Sequence, residues 1–292
     1  MKKENKKTFK SYKPGSFKYV VTHVVQNPMA LGGAIIMIAL LILSFLSPYI
    51  LPHDIQTVSM QEAFASPSSE HLFGCDELGR DILARVLYGA RYTLSVGVFS
   101  VIISAVFGIL LGSIAGYFGG AVDQGIMRVL DIMAAFPSML LAIAISSVLG
   151  VGLDKCIISL GVAGIPQFAR MMRANILTVR NQEYIEACKA INCTKARIII
   201  KHVIPNAISP LIVTASMAIA NAGLNASALS FIGLGVVAPT PEWGAMLASA
   251  RNHIRKYPHM VFFPGLFIML SVLCLNLVGD SIRDALDPKL KN

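Results

Sequence analysis

Six stretches of this chain, residues 27–47, 92–115, 129–150, 156–169, 207–237 and 260–279, carry no charged side chain apart from Asp131. A hydrocarbon core about 30 Å thick is crossed by roughly twenty apolar residues in a helix. The stretch 156–169 is short and contains Gly161, Gly164 and Pro166, which weakens it as a span. The pattern predicts an all-α integral membrane protein with about six transmembrane helices and both termini on one side. It also sets the division of the chain: a basic tail over 1–26, a first transmembrane helix over 27–47, an external loop over 48–91, a five-helix core over 92–280 that includes a polar loop over 170–206, and a tail over 281–292.

Composition agrees with that pattern, since 55% of residues are apolar and only 14% charged, against about 25% charged in a soluble domain. Seven lysines precede the first span, which is too long for a signal-peptide core. With the tails and the 170–206 loop placed in the cytoplasm, eighteen of the 25 Lys and Arg residues lie inside. The sixteen acidic residues divide evenly, so the inside is near +10 and the outside near −1. Membrane orientation therefore accounts for the basic character, and no nucleic-acid partner is needed. Cys75, Cys156, Cys188, Cys193 and Cys274 form no metal-ligand spacing and no disulfide framework, and read as packing residues. The sequons at Asn192 and Asn225 fall in a cytoplasmic loop and a span, and read as chance matches.

Several energy sources are missing from the chain. No span carries the buried acids or histidines of a proton relay, and none is Arg-rich like a voltage sensor. The phosphate-binding loop G-x-x-x-x-G-K-[ST] does not occur, so ATP cannot be held in that way. No nucleophile–base set or metal cluster is assembled either, which leaves no catalytic residue and no bound cofactor to assign. If the chain pumps, the energy enters from a partner. The fifth apolar stretch is rich in Ala, Gly, Ser and Asn, which favours close helix packing. Within it Asn221 and Asn225 are the candidates to line a wet pathway.

The charged interruption at 183–206 reads as two short helices. Tyr184, Ala187, Cys188 and Ile191 follow the i, i+3, i+4, i+7 spacing of one apolar face. Asn192, which tolerates a left-handed backbone, stands where the first helix would end, and Thr194 can cap the second. Ala196, Ile199, Ile200 and Val203 repeat the apolar spacing, and Pro205 marks a break before the next span. Such a helix–turn–helix can serve as a lever for a soluble partner or as a segment resting on lipid headgroups. On the outer side, Asp76 is placed to cap a helix whose apolar face holds Ile82, Leu83, Val86, Leu87 and Ala90. Asp81 and Arg85 are spaced to pair on it. The stretch "PTPEW" reads as a rigid outer turn with Trp243 at the membrane interface.

The segment "EACKAINCTKARIIIKHVIPN" resembles the EAA loop of ABC importer permeases: E-A-A, then a glycine, then I-x-L-P. Glu186, Ala187, Cys188, Asn192, Val203, Ile204 and Pro205 occupy its positions, with Cys188 in place of the second alanine and Asn192 in place of the glycine. "HLFGCDELGRDILARVLYGAR", "GYFGGAVDQGIMRVLDIMAAFPSMLLAI" and "LSFIGLGVVAPTPEWGAML" are similar to the dipeptide, oligopeptide and nickel permeases, and most to their C-type subunit. Cys75 stands where that family usually has threonine, and Ala226 where an acidic residue is common. The resemblance implies the type I ABC importer transmembrane fold in a prokaryotic cell membrane. It implies a homologous permease as partner, two ABC ATPase subunits that hold ATP and Mg, and a solute-binding lipoprotein or periplasmic protein outside. The EAA loop, with Tyr184, Glu186, Ala187, Cys188, Ile191, Asn192, Ile204 and Pro205, would couple to the ATPases. Cargo is expected to be di- or oligopeptides, with nickel or a metal chelate as the alternative suggested by His53 and His71. A stand-alone channel is the alternative from another class.

Overall fold

A computed structural model describes residues 17–51 and 55–286. Most of the lysine-rich tail, His53 and the last six residues lie outside the described residues. The chain builds helices α1 Phe17–Gln26, α2 Pro28–Ile50, α3 Ile82–Phe118, α4 Gly120–Ala134, α5 Ser138–Leu149 and α6 Leu153–Val179. Then follow α7 Glu183–Ala190, α8 Lys195–Ile198, a π-helical turn Ile199–Val203, α9 Ile204–Ala207, α10 Ser209–Phe231, α11 Trp243–Ala250 and α12 His259–Leu286. The all-α expectation holds, because the described residues form no strand beyond one isolated bridge between Cys75 and Asp81.

The helices α2, α3, α10 and α12 are long and apolar enough to cross a membrane, and α4 with α5 make a fifth if the bent pair is one span. That is fewer than the six expected. The stretch 129–150 is not one helix: α4 and α5 meet at 88°. Pro137 supplies no N–H and steers Phe136 away from helical backbone, which ends α4 there. The short stretch 156–169 lies inside α6, a helix of 27 residues that also carries Asp154 and Lys155 in its first turn and Arg170 and Arg173 in its second half. Length suffices there, but charge keeps it below the apolarity of the others. The outer helix expected after an Asp76 cap is not separate either. It continues into the span as α3, whose 37 residues extend about 55 Å.

The seam between α3 and α6 organises the molecule. Ser100, Ser104, Gly108, Gly112 and Gly116 recur every fourth residue on α3, so they share one face. A Cβ on Gly108 would collide with Phe168, and one on Gly112 with the carbonyl oxygen of Ala169. Ser104 Oγ donates to the carbonyl of Gly161 at 2.7 Å, and Ser100 Oγ to that of Ile157 at 3.2 Å. Small residues thus let two backbones touch where lipid offers no hydrophobic drive to pair them. The glycines of α6 serve this contact and do not break the helix; Gly164 faces Ser104.

Around the start of α3 the ion pairing differs from the expected arrangement. Asp81, directly before Ile82, is the N-cap: it accepts from Ala84 N at 2.7 Å. Asp76 instead accepts from the backbone of Leu78 and Arg80 and from Arg80 Nε at 2.7 Å. Arg85 lies 3.6 Å from Asp76 and donates to the carbonyls of Ile55 and Pro239, so it does not pair with Asp81. Trp243 is fully buried and not interfacial, with Nε1 donating to the Val86 carbonyl at 2.8 Å. The cause lies on α3: Gly89 has no side chain, and Pro241 O sits where a Cβ would be. Glu242, expected in an outer turn, is buried as the N-cap of α11. It accepts from Ala245 N at 2.9 Å, Thr93 Oγ1 at 3.0 Å and Ser227 Oγ at 3.2 Å. Three donors from three helices compensate a carboxylate that would otherwise be costly to bury.

Two measurements test this packing. Gly112→Leu should prevent α3 from seating on α6, with loss of folded, monodisperse protein in detergent, while Gly125→Leu, at a position open around Cβ, should be tolerated. The second concerns His71, which is buried with Nδ1 2.9 Å from Asp81 and Nε2 3.7 Å from Glu62. Burial opposes its charged form, but the bond and charge of Asp81, helped by Glu62, outweigh it and raise its pKa above 6.5. Its stabilisation is therefore complete below 6.5, the unfolded value, and is lost as pH rises through the higher folded value. The thermal midpoint of wild type minus that of His71→Gln should shrink over that window; a pH-independent difference would contradict the charge pairing.

Candidate functional site

The loop at 183–206 forms the expected pair of short helices, in a different register. Glu183 and Glu186 sit in the first turn of α7 and Lys189 in its last, each favourable to the helix dipole. Ile185 is the buried residue of α7; it packs with Met172 and Ile176 of α6 and with Ile198, Val203 and Leu211. Of the expected stripe, Tyr184 and Ala187 are exposed, Cys188 is half-buried and Ile191 is 75% exposed. Two adjacent apolar residues, Tyr184 and Ile185, offer competing faces. The helix ends at Ala190, so Ile191 belongs to the turn and cannot extend the stripe. The second half departs similarly: Val203 is buried and Ile199 half-buried, but Ala196 and Ile200 are exposed and Ile198 takes the inner place.

The turn itself is resolved. Asn192 has φ of 60°, the left-handed backbone that glycine would adopt with less strain. Its N–H bonds to the Lys189 carbonyl at 3.0 Å, and Cys193 N–H to that of Cys188 at 3.1 Å. Those two bonds are the Schellman closure of a helix C-terminus. Thr194 occupies the cap position of α8 without a side-chain hydrogen bond, contrary to the expected cap. Pro205 does not end the segment. The chain widens into the π turn before it and continues as α9, in which Ile204 is half-buried and Pro205 exposed.

Polar contacts tie the end of α6, from which this unit hangs, to the neighbouring helices. Arg180 Nη1 donates to the Gly116 carbonyl of α3 at 2.8 Å, and Asn175 Nδ2 to that of Ala207 at 3.0 Å. Arg173 grips Asp123 of α4 with two bonds of 2.5 Å. Lys195 Nζ lies 5.8 Å from the Phe118 ring. The outward surface of α7 then presents Glu183, Tyr184, Glu186 and Ala187, with Ile191 of the adjoining turn beside them: acidic groups among apolar ones.

A cavity of about 980 Å³ lies between α3, the α4–α5 bend, α6 and α10. Asn221 and Asn225, one turn apart on α10, both line it, together with Ser100, Gln167 and Arg170. Gln167 and Arg170 escape the sequence reading because the apolar stretch ends at residue 169, which assigns Arg170 to the cytoplasmic loop. Their i, i+3 spacing on one helix face was the available sign. Arg170 Nη2 donates to Asp131 Oδ1 of α4 at 2.9 Å. One group of metal-ligating side chains occurs among the described residues: Glu62, Glu70 and His71, with ligand atoms within 4.8 Å of one another. It belongs to the loop between α2 and α3 and contributes nothing to the cavity lining.

Comparison with known proteins places these features in context. Residues 108–292 match the family described as "binding-protein-dependent transport system inner membrane component". Residues 17–67 match "N-terminal TM domain of oligopeptide transport permease C". The dipeptide transport system permease protein DppC of Alkalihalophilus pseudofirmus is 43% identical over 267 residues, covering 91% of this chain and 88% of the relative. The di/tripeptide transport system permease protein DppC of Pseudomonas aeruginosa is 42% identical over 285 residues, covering 96% and 94%. The glutathione transport system permease protein GsiD of Escherichia coli is 44% identical over 264 residues, covering 90% and 87%. Among solved structures, the inward-facing MetNI methionine ABC transporter superposes with TM-score 0.56 at 19% identity, covering 70% of this chain and 97% of that one. At that identity the likeness concerns the fold alone.

The left-handed turn gives a direct test. Asn192→Gly should leave the thermal midpoint unchanged or raise it, whereas Asn192→Val should lower it through about 1–2 kcal/mol of backbone strain. Equal midpoints for the two variants would contradict the Schellman closure.

Proposed function

The chain belongs to the family of binding-protein-dependent transport system inner membrane components, and from that premise we propose that it is the membrane-spanning permease subunit of an ATP-driven importer of short peptides. It sits in the cytoplasmic membrane of a prokaryotic cell with both termini inside, a reading supported by the uneven distribution of Lys and Arg. A homologous permease completes the pathway, two ATPase subunits bind ATP and Mg below, and an extracytoplasmic solute-binding protein delivers cargo above. Relatives named for dipeptides, di/tripeptides and glutathione support peptide cargo over nickel or a metal chelate.

The observation that carries the proposal is the two-sidedness of α7. Its inner side, through Ile185, joins the buried cluster that includes Met172 and Ile176 of α6 and Leu211 of α10, helices that also wall the cavity. Its outer side leaves Tyr184, Glu186 and Ala187 exposed for a partner, with Ile191 of the adjoining turn beside them. ATP-driven closure of the ATPases would move α7 and α8 as a unit. Through Ile185 that movement reaches α6, whose bonds from Arg180, Asn175 and Arg173 pass it to α3, α9 and α4. Access to the cavity then alternates only if the ATPases contact this surface differently in the two states. Asn221 and Asn225 line the route in this reading.

Glu186→Arg combined with Ile191→Asp changes only exposed positions, so the fold should be kept. Co-purification of the ATPase subunits and ATP-dependent uptake in proteoliposomes should fall together, by about tenfold or more. Wild-type uptake by the well-expressed double variant would refute the coupling surface, and uptake without ATPases would indicate a channel.

A further inference from the structure

Of the residues lining the cavity, Arg170 alone carries a formal charge. Its pairing differs from that of Arg173, one turn along α6. Arg173 holds Asp123 through both Nε and Nη2 at 2.5 Å, and the carboxylate side chain is only 16% exposed. Arg170 engages Asp131 through Nη2 at 2.9 Å, with the two side chains 49% and 57% exposed. The first is a two-pronged structural clamp. The second is an open, one-armed pair of the kind that contributes little net stability and exchanges partners at low cost.

A guanidinium in a membrane cavity still needs a counter-ion at all times. It also presents a planar fork suited to two oxygens of one carboxylate. We propose that Arg170 receives the terminal carboxylate of the peptide in transit, and that Asp131 is the counter-ion to which it returns when the cavity is empty of cargo. This rests on the reading of the cavity as the peptide pathway. It supplies what a permease for short peptides needs, since the terminal carboxylate is common to all of them while side chains vary. The amide side chains of the lining, Gln167, Asn221 and Asn225, are neutral and can bond peptide amides with the same indifference to side chain.

The test uses the complete importer with Asn225→Cys. Modification at position 225 by a water-soluble maleimide is quantified by mass spectrometry against increasing dialanine or dialanine amide. Dialanine should protect at about tenfold lower concentration than the amide, as expected for one charge-assisted contact. In Arg170→Gln that ratio should fall to near one, and Arg170→Lys should retain part of it. Asp131→Asn should move the other way: by removing the competing carboxylate it lets dialanine protect at lower concentration still. The inference is overturned if the ratio persists in Arg170→Gln, if Asp131→Asn acts like Arg170→Gln, or if position 225 is modified but neither peptide protects it. Absence of modification in every state would instead overturn the pathway reading, so the two failures are distinguishable.

Discussion

Two backbones in contact, α3 against α6, are what the rest of this structure depends on. In lipid no hydrophobic gain draws apolar helices together, so close packing and interhelical hydrogen bonds must do it. Gly108 and Gly112 remove the side chains that would hold the helices apart, and Ser100 and Ser104 add hydroxyl bonds to carbonyls across the seam. Since α6 carries Gln167 and Arg170 midway along and leads into α7, the seam positions the cavity wall and the α7–α8 unit in one operation.

Charge is confined by the same economy. Three acids near the membrane part have partners whose geometry matches their duty. Glu242 is closed in by donors from α3, α10 and α11, which suits a fixed joint. Asp123 and Arg173 share two bonds across α4 and α6, again a fixed joint. Asp131 and Arg170 share one bond beside open space, and that contrast within a single helix turn distinguishes an exchangeable pair from a clamp. Exposure, and not the presence of an ion pair as such, separates the two.

Much of the fold was legible from hydropathy because lipid leaves few alternatives: long uncharged runs become helices. What escaped came from contacts between distant residues. The burial of Trp243 and Glu242 depends on Gly89 admitting the Pro241 carbonyl, a meeting that no local pattern announces. The bend between α4 and α5 was foreshadowed by Phe136–Pro137 but hidden inside an apolar run. The face of α7 was ambiguous because Tyr184 and Ile185 are neighbours, so periodicity alone could select either. Asn192 was readable as a turn residue from its chemistry, and Asn221 with Asn225 from being amides in a span. Arg170 was misplaced by the rule that a charge ends a span, a rule that fails where a helix lines a cavity.

That exception also bears on how movement could cross the molecule. A lever transmits displacement only if the parts between its ends do not bend. From α7 to the cavity wall the connection runs through Ile185 into the cluster with Met172 and Ile176, and so into α6, which stays helical through Pro166 because the α3 seam braces it. The breaks lie elsewhere. One is the bend before Pro137; the other is the interruption near Ile208, where α9 gives way to α10 ahead of Pro210. Both breaks adjoin helices that line the cavity together with α3 and α6. Rigid transmission along α6 and compliance at α4–α5 and α9–α10 are what the proposed alternation requires: a cytoplasmic displacement reshapes the cavity without separating the two backbones that hold it.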